Sequence, residues 1–441
     1  MSHYASSKFS HNSSRWGTIY DNGNDDVRSR LVIFARGKLL CSNSSKNLTK
    51  AQKYAVLSHQ LVFDTTEARH VTNWSSPSAE MELEQEQISN HLHVCVSIGD
   101  GFETIRGTTL SEPVLSEAAS FVMRDGSFEL ADALAEVLSG YNINPEDQGQ
   151  LLISAFFTWA RDRAVSEKPH AEFRGQLSRY FSVTELFKSL FSESTFTSIS
   201  ASFPSLCGTK TTEQPFGQIF GRAFMHYTHF IQPQAQKLLA RAYLPLFMAR
   251  GAAVLGASCW PGVDAIYPYL FNDIELNTKN VGFIMVQVTS DVSLESQGKI
   301  FKSMDPFVCG LLQETDCIDG NFPIPVIRIV FALRHGESMP LGVTQKTYTS
   351  PSQGSSYLND GGQSKFTSYD FWCSGVDPDI IEPVKEAPEI WRALVERADS
   401  WEVFYNDALD SNALRSQFPA CGVQHSHFDT WTAQIPGSQL D

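Results

Sequence analysis

Two short stretches carry residue types that could do chemistry together. In Gly262-Val263-Asp264 a carboxylate follows a Pro261-Gly262 turn, and in Val286-Gln287-Val288-Thr289 an amide and a hydroxyl stand two positions apart. If both stretches are neighbouring strands, period-two alternation puts Gln287 and Thr289 on one face and Val286 and Val288 on the other. A carboxylate on one strand and an acid-x-Lys on the next can hold Mg²⁺. The ion lowers the pKa of a bound water and neutralises charge on a phosphate, while the lysine orients the water. The chemistry would be phosphodiester hydrolysis. Asp264, Gln287 and Thr289 occupy the catalytic positions of such a site, with Asp264 and Gln287 as the Mg²⁺ ligands. The residue types leave it incomplete: Gln287 offers a neutral carbonyl in place of the acid, and Thr289 cannot supply the cation. Lys279 and Lys299 are the nearest lysines that could substitute in space. The plainer reading makes Asp264 a strand-entry aspartate, and Gln287 and Thr289 ordinary polar residues at a sheet end. Asp273, Glu275 and Asp291 read as loop carboxylates.

The elements that must position these residues form a recognisable order. Residues 234–250 have the period of a long amphipathic helix. Residues 251–259 read as a strand, then come the turn and a second strand carrying Asp264, and residues 281–289 read as a third. A helix over 299–312 and a buried strand over 325–334 complete an α-β-β-β-α-β series. Upstream, residues 111–205 form a helical layer: Ser111-Glu112-Pro113 fits a helix start, a second helix spans 128–138, and a third begins at Asn144-Pro145-Glu146. Its apolar stripe needs a surface to cover, and the α/β region supplies one.

The remaining boundaries follow composition. Residues 1–28 are a polar arm expected to be disordered. Residues 29–110 are weakly patterned and β-prone, with runs at 30–40 and 91–98 that could pair as strands. The core spans 206–338, including a helical aromatic stretch at 216–230. A Ser/Gly-rich loop covers 339–365, and residues 366–441 hold a helix over 386–404 and a polar tail. One composite globule is expected.

The net charge is −15, with 34 Lys and Arg against 49 Asp and Glu, so nucleic-acid binding would need a local basic groove. Lys237, Arg241 and Arg250, on or at the end of the long helix, could line one, although a solvated face explains them as well. The 8 cysteines are scattered and form no CxxC, which fits free thiols in a reducing compartment. The first residues lack an apolar core segment, and no apolar run approaches a membrane span. An intracellular location, cytoplasm or nucleus, without membrane partners is expected. The sequons at Asn12, Asn43, Asn47 and Asn73 then read as chance.

Arg250-Gly251-Ala252-Ala253, Trp260-Pro261-Gly262-Val263-Asp264, Tyr267-Pro268 and Ile284-Met285-Val286-Gln287-Val288 together resemble a group of uncharacterised fungal proteins. Glu112-Pro113-Val114-Leu115, Gln150-Leu151-Leu152 and Trp159-Ala160-Arg161-Asp162 resemble the helical upstream region of that group. The resemblance covers residues 110–400. It implies a PD-(D/E)XK, or restriction-endonuclease-like, α/β core with an added helical N-terminal layer, of the kind linked to mobile elements or Crinkler-type proteins. By position Asp264 takes the metal-binding acid, Gln287 the second ligand, and Thr289 falls where the family has Lys.

Other candidates are weaker. His226 and His229 have i, i+3 spacing on the expected helix and could ligate a metal, or simply pack. Cys421, His425 and His427 lack an evident fourth zinc ligand. His91 and His93 share a strand face. The stripe Phe216, Phe220, Phe224 and Tyr227 reads as core before it reads as a base-stacking platform. The expectation is a degenerate nuclease acting as a nucleic-acid- or protein-binding module. The alternatives are an active Mg²⁺-dependent nuclease cleaving DNA or RNA, and a helical interaction scaffold without nuclease ancestry.

Overall fold

The computed structural model describes residues 23–42, 44–63, 68–69, 79–98, 104–138, 145–166, 180–208, 213–233, 236–256, 260, 262–272, 275–289, 294–318, 320–333, 341–346, 348 and 364–398. The chain enters as a helix, α1 (Asp25–Leu40), where a strand was expected. Asn24 caps it by accepting from Val27 N–H, and Leu31, Val32, Ala35 and Leu39 recur at helical spacing. Ala35 packs with Val114, Leu115 and Ala118 while Leu31 and Val32 cover that cluster. The apolar richness of this run had masked its period. There is accordingly no pairing between residues 30–40 and 91–98.

α2 (Lys50–Ser58) starts with a Thr49 capping box, and α3 (Ala79–Asn90) lies beside a small antiparallel sheet. That sheet has the order β1-β3-β2, from β1 (Ala68–Arg69), β2 (Val94–Ile98) and β3 (Thr104–Thr108). The helical layer follows as expected: α4 (Pro113–Met123), α5 (Leu130–Leu138), α6 (Pro145–Ser166), α7 (Val183–Leu190) and α8 (Glu193–Ala201).

The next two stretches depart from the expected helices. Residues 216–230 hold a short helix, α9 (Phe216–Phe220), and two strands, β5 (Ala223–Met225) and β6 (His229–Ile231); β4 (Phe181–Ser182) pairs with β5. These strands are specified by partners far away, β8 for β5 and β7 for β6, which a local period cannot reveal. Residues 236–250 are two 3₁₀ turns, Gln236–Leu239 and Arg241–Tyr243, before α10 (Leu244–Ala249). Pro245 stands near the start of α10, where its ring would clash with a helical carbonyl four residues back, so one long helix cannot form.

The main sheet contains β7 (Ala252–Leu255), β8 (Ala265–Phe271), β9 (Val281–Thr289), β10 (Val326–Ala332), β11 (Gly342–Gln345) and β12 (Ser368–Ser374). Its order is β11-β12-β10-β9-β8-β5-β4, and β7 joins β8 to β6. β8 is antiparallel to β9, whereas β9, β10 and β12 run parallel. On its other edge β8 pairs with β7 through Ile266 and Ala265, then with β5 through Tyr269, Leu270 and Phe271. α11 (Leu294–Ser303) connects β9 to β10, ending ahead of the expected residue 312 because Asp305-Pro306 opposes helix continuation. β12, an aromatic run that the sequence reading passed over, completes the buried parallel part, and α12 (Pro388–Ala398) follows.

α6 covers one sheet face. Phe157 stacks on Tyr267 with centroids 4.3 Å apart and meets Phe331 edge-on, and Phe156 packs on Trp391 of α12. Apolar side chains from Leu39 to Leu394 form one connected core. Among the described residues no helix is long and apolar enough to cross a membrane.

The parallel β10–β12 register sets Arg328 beside Asp370, both fully buried. The guanidinium is bidentate, Nε to Oδ1 at 2.7 Å and Nη2 to Oδ2 at 2.6 Å, and Nη1 donates to Phe301 O at 2.8 Å. It lies 5.5 Å from the Phe301 and Phe366 ring centroids. Removing one partner strands the other charge in an apolar interior. Arg328→Met or Asp370→Leu alone should therefore cost about 3–5 kcal/mol, and the double replacement much less than their sum, in chemical denaturation.

Candidate functional site

Asp264 sits one residue before β8, and its position is set by the turn before it. Gly262 has φ +78°, and a Cβ there would lie 2.1 Å from Ser303 O at the end of α11. Only glycine allows both the left-handed backbone and that close approach. The backbone of Asp264 then joins two strands: its N–H donates to Val286 O at 2.9 Å and its carbonyl accepts from Gly256 N–H at 2.8 Å.

The β8–β9 register, Ala265 opposite Val286, continues by one step to set Asp264 against Gln287. Both side chains grip the same residue. Asp264 Oδ2 accepts the Val288 N–H, and Gln287 Nε2 donates to Val288 O at 3.4 Å. Asp264 and Gln287 thus lie opposite one another where β8 begins and β9 nears its end. Thr289 stands two residues on, opposite Ala332, and its carbonyl accepts from Leu333 N–H at 3.1 Å.

A fourth residue completes the group. Gln150, buried on α6, donates from Nε2 to Asp264 Oδ1 at 2.8 Å. α6 comes this close because Gly149 has no side chain: a Cβ there would stand 3.2 Å from Val288 Cγ1. Gln150 had been noted only as part of a resemblance, since nothing local marks a partner 114 positions away.

This donor set fits Mg²⁺ poorly. Both oxygens of the single carboxylate hold N–H donors, from Gln150 and Val288, and the neighbouring side chains are amides and a hydroxyl. A hard divalent cation is held by carboxylate and carbonyl oxygens, and an N–H directed at the same oxygen competes with it. Gln287 Oε1 is buried with no hydrogen-bond partner among the described residues. Among the described residues no group of three or more His, Cys, Asp or Glu could hold a metal ion.

The candidate cations are elsewhere. Lys279 stands in the turn before β9, so it lies beyond the far end of that strand from Gln287, with roughly 20 Å of strand rise between Val281 and Gln287. Lys299 is exposed on α11. Arg241 does not face solvent or phosphate: it is buried, donates to Val281 O and to Asp316 Oδ1 at 3.1 Å each, and lies over the Phe322 ring. Burial lowers its pKa, with Asp316 opposing the shift. Arg250 donates to Ser111 O at 2.6 Å. The side chain of Lys237 is outside the described residues, so Arg241 and Arg250 are the two to judge, and they do not build the expected groove.

The other candidates also resolve into structure. His226 and His229 lie at a bend between β5 and β6, where helical spacing has no meaning. His226 Nδ1 meets Met248 O at 3.3 Å and His229 Nε2 meets Ser111 Oγ at 2.7 Å. His91 and His93 are buried ahead of β2, bonded to Leu39 O at 2.8 Å and Ser58 Oγ at 2.9 Å. The aromatic stripe is core: Phe216 and Phe220 pack 4.7 Å apart, and Phe220 meets Tyr269 and Tyr369 edge-on. Asp273, Asp291, Cys421, His425 and His427 lie outside the described residues.

Comparisons of the chain with protein-family models, with curated proteins and with solved structures each returned no match.

Proposed function

We propose that this chain is a degenerate PD-(D/E)XK-type nuclease that binds a protein partner and does not cut nucleic acid. The observation that carries the reading is the double engagement of Asp264. Its carboxylate works as a clamp, holding α6 through Gln150 and the end of β9 through the Val288 N–H. The series α10-β7-β8-β9-α11-β10, with β7, β8, β9 and β10 adjacent in that order, supports the nuclease ancestry. Gln287 and Thr289 in place of acid and lysine support loss of turnover.

A protein partner is favoured over nucleic acid on electrostatic grounds. The charge of −15 repels a polyanion, and Arg241 is used inside the fold. Exposed apolar side chains such as Ile33 and Phe34 on α1, and Val94, Val96 and Ile98 on β2, offer contact area instead. The free cysteines among the described residues accord with an intracellular setting.

Two outcomes are expected. Incubated with Mg²⁺ or Mn²⁺ and single- or double-stranded DNA or RNA, the protein should show no cleavage beyond that of Asp264→Ala. Metal-dependent cleavage lost in that variant would make the chain an active nuclease. In urea denaturation, Asp264→Ala should be less stable by about 1–3 kcal/mol, because the Val288 N–H and the Gln150 amide lose their acceptor. A residue kept only for catalysis would leave stability unchanged or raise it.

A further inference from the structure

Histidines line the seam between the helical layer and the sheet. His59 follows α2, His91 and His93 lead into β2, His226 leaves β5, and His229 opens β6. His59, His91, His93 and His229 are buried and His226 is partly so. The rings of His59 and His93 have centroids 6.1 Å apart, and His229 feels the charge of His59, His226, Arg161 and Arg250.

The hydrogen bonds of His59 and His229 leave no acceptor for a second ring proton. Nδ1 of His59 lies 2.9 Å from Ala55 O. A carbonyl only accepts, so Nδ1 of His59 carries the proton and its Nε2 is a bare lone pair. Nε2 of His59 is buried with no hydrogen-bond partner, so a second proton there would be a charge without an acceptor. His229 sits in a directed chain. Arg250 donates to Ser111 Oγ at 3.4 Å, and Ser111 Oγ lies 2.7 Å from His229 Nε2. His229 Nδ1 lies 3.0 Å from Thr228 Oγ1, which donates to Gly251 O at 3.2 Å. A proton on Nε2 would displace the Ser111 hydroxyl hydrogen and put a cation beside Arg250.

The charged groups facing this seam give little relief. Arg161 of α6 and Arg250 are cations. Glu84 of α3 stands 3.8 Å from His93 Nδ1 and Glu86 stands 3.9 Å from His91 Nε2, so both face those rings rather than His59 or His229. Asp162 is 3.2 Å from Arg161 and accepts from Ser120, and Glu117 of α4 pairs with Arg124 at 3.2 Å. Tyr54 packs on His93, and Tyr227 lies under Arg161.

The same residues carry the bonds that close the seam. Gln60, next to His59, accepts from Phe230 N–H of β6 at 3.1 Å, donates to Ser116 O of α4, and accepts from Arg161 Nη2 at 2.5 Å. The end of α2, α4, α6 and β6 thus meet at one residue, β6 through the Gln60 backbone carbonyl and α4 and α6 through its side chain. The strands β8, β9, β10 and β12 contain no histidine.

We propose that this seam is a proton-operated latch: when His59 and His229 take up a proton, the end of α2 and the Ser111 segment part from β6, while β8 to β12 stay assembled. Burial, first among the causes, lowers His59 and His226 to about 4 and His229 to about 3, from an ordinary value of 6.5. The unfolded or opened form therefore binds protons first as pH falls. The latch is fully closed above about 6.5 and weakens progressively, through His59 down to about 4 and through His229 down to about 3.

Hydrogen–deuterium exchange of the full chain, corrected for intrinsic rates, tests this at neutral pH and at about pH 5. Amides of residues 54–61 and 228–232 should lose protection about ten-fold or more at the lower pH, while those of 281–289 and 326–332 keep theirs. In His59→Gln/His229→Gln, which cannot titrate, protection should persist. The proposal is overturned if the seam amides of the wild type stay protected, or if the sheet amides open with them. Should the double variant fail to fold, histidine NMR titration of the wild type decides: His59 and His229 should titrate below the ordinary range in step with the loss of protection. Ordinary titration with the seam intact sinks the latch.

Discussion

β9 is held on both edges at once, antiparallel to β8 and parallel to β10, and most of its side chains are buried. A strand so placed cannot slip by one residue without turning its whole apolar set the wrong way. Everything at its carboxyl end inherits that fixed register: Val288 is where the Asp264 and Gln287 side chains bond, and Thr289 pairs with the end of β10 at Ala332 and Leu333. The site geometry follows from sheet closure, with no special local motif needed to create it.

The Asp264 constellation has a structural use of its own. A carboxylate that accepts a strand-end N–H and a helix amide is useful to the fold whether or not a metal visits. Asp264 replaces a missing strand partner for Val288 and orients α6 over the sheet.

The buried polar residues divide between two regions. Arg328 and Asp370 neutralise each other bidentately, with Phe301 O taking a further guanidinium N–H, which fixes the β10–β12 pairing. Around His59 and His229 the partners are carbonyls, hydroxyls and further cations, so that region is stable only with neutral rings.

Periodicity by itself determined the helical layer, the third strand of the core to the residue, and the neighbour relation of Asp264 and Gln287, because each rests on short-range alternation, caps or Pro-Gly turns. α1 was misread because a run of apolar residues satisfies both periods until a packing surface selects one, here the face carrying Leu31, Ala35 and Leu39. β5, β6 and β12 were invisible because a strand's stability lies in partners tens of residues away. The broken helix before β7 was betrayed only by Pro245. Tertiary structure alone decided that Gln150 holds Asp264 and that Arg241 is buried. It also decided that scattered histidines share one seam, since those contacts join residues whose separation along the chain exceeds any local signal.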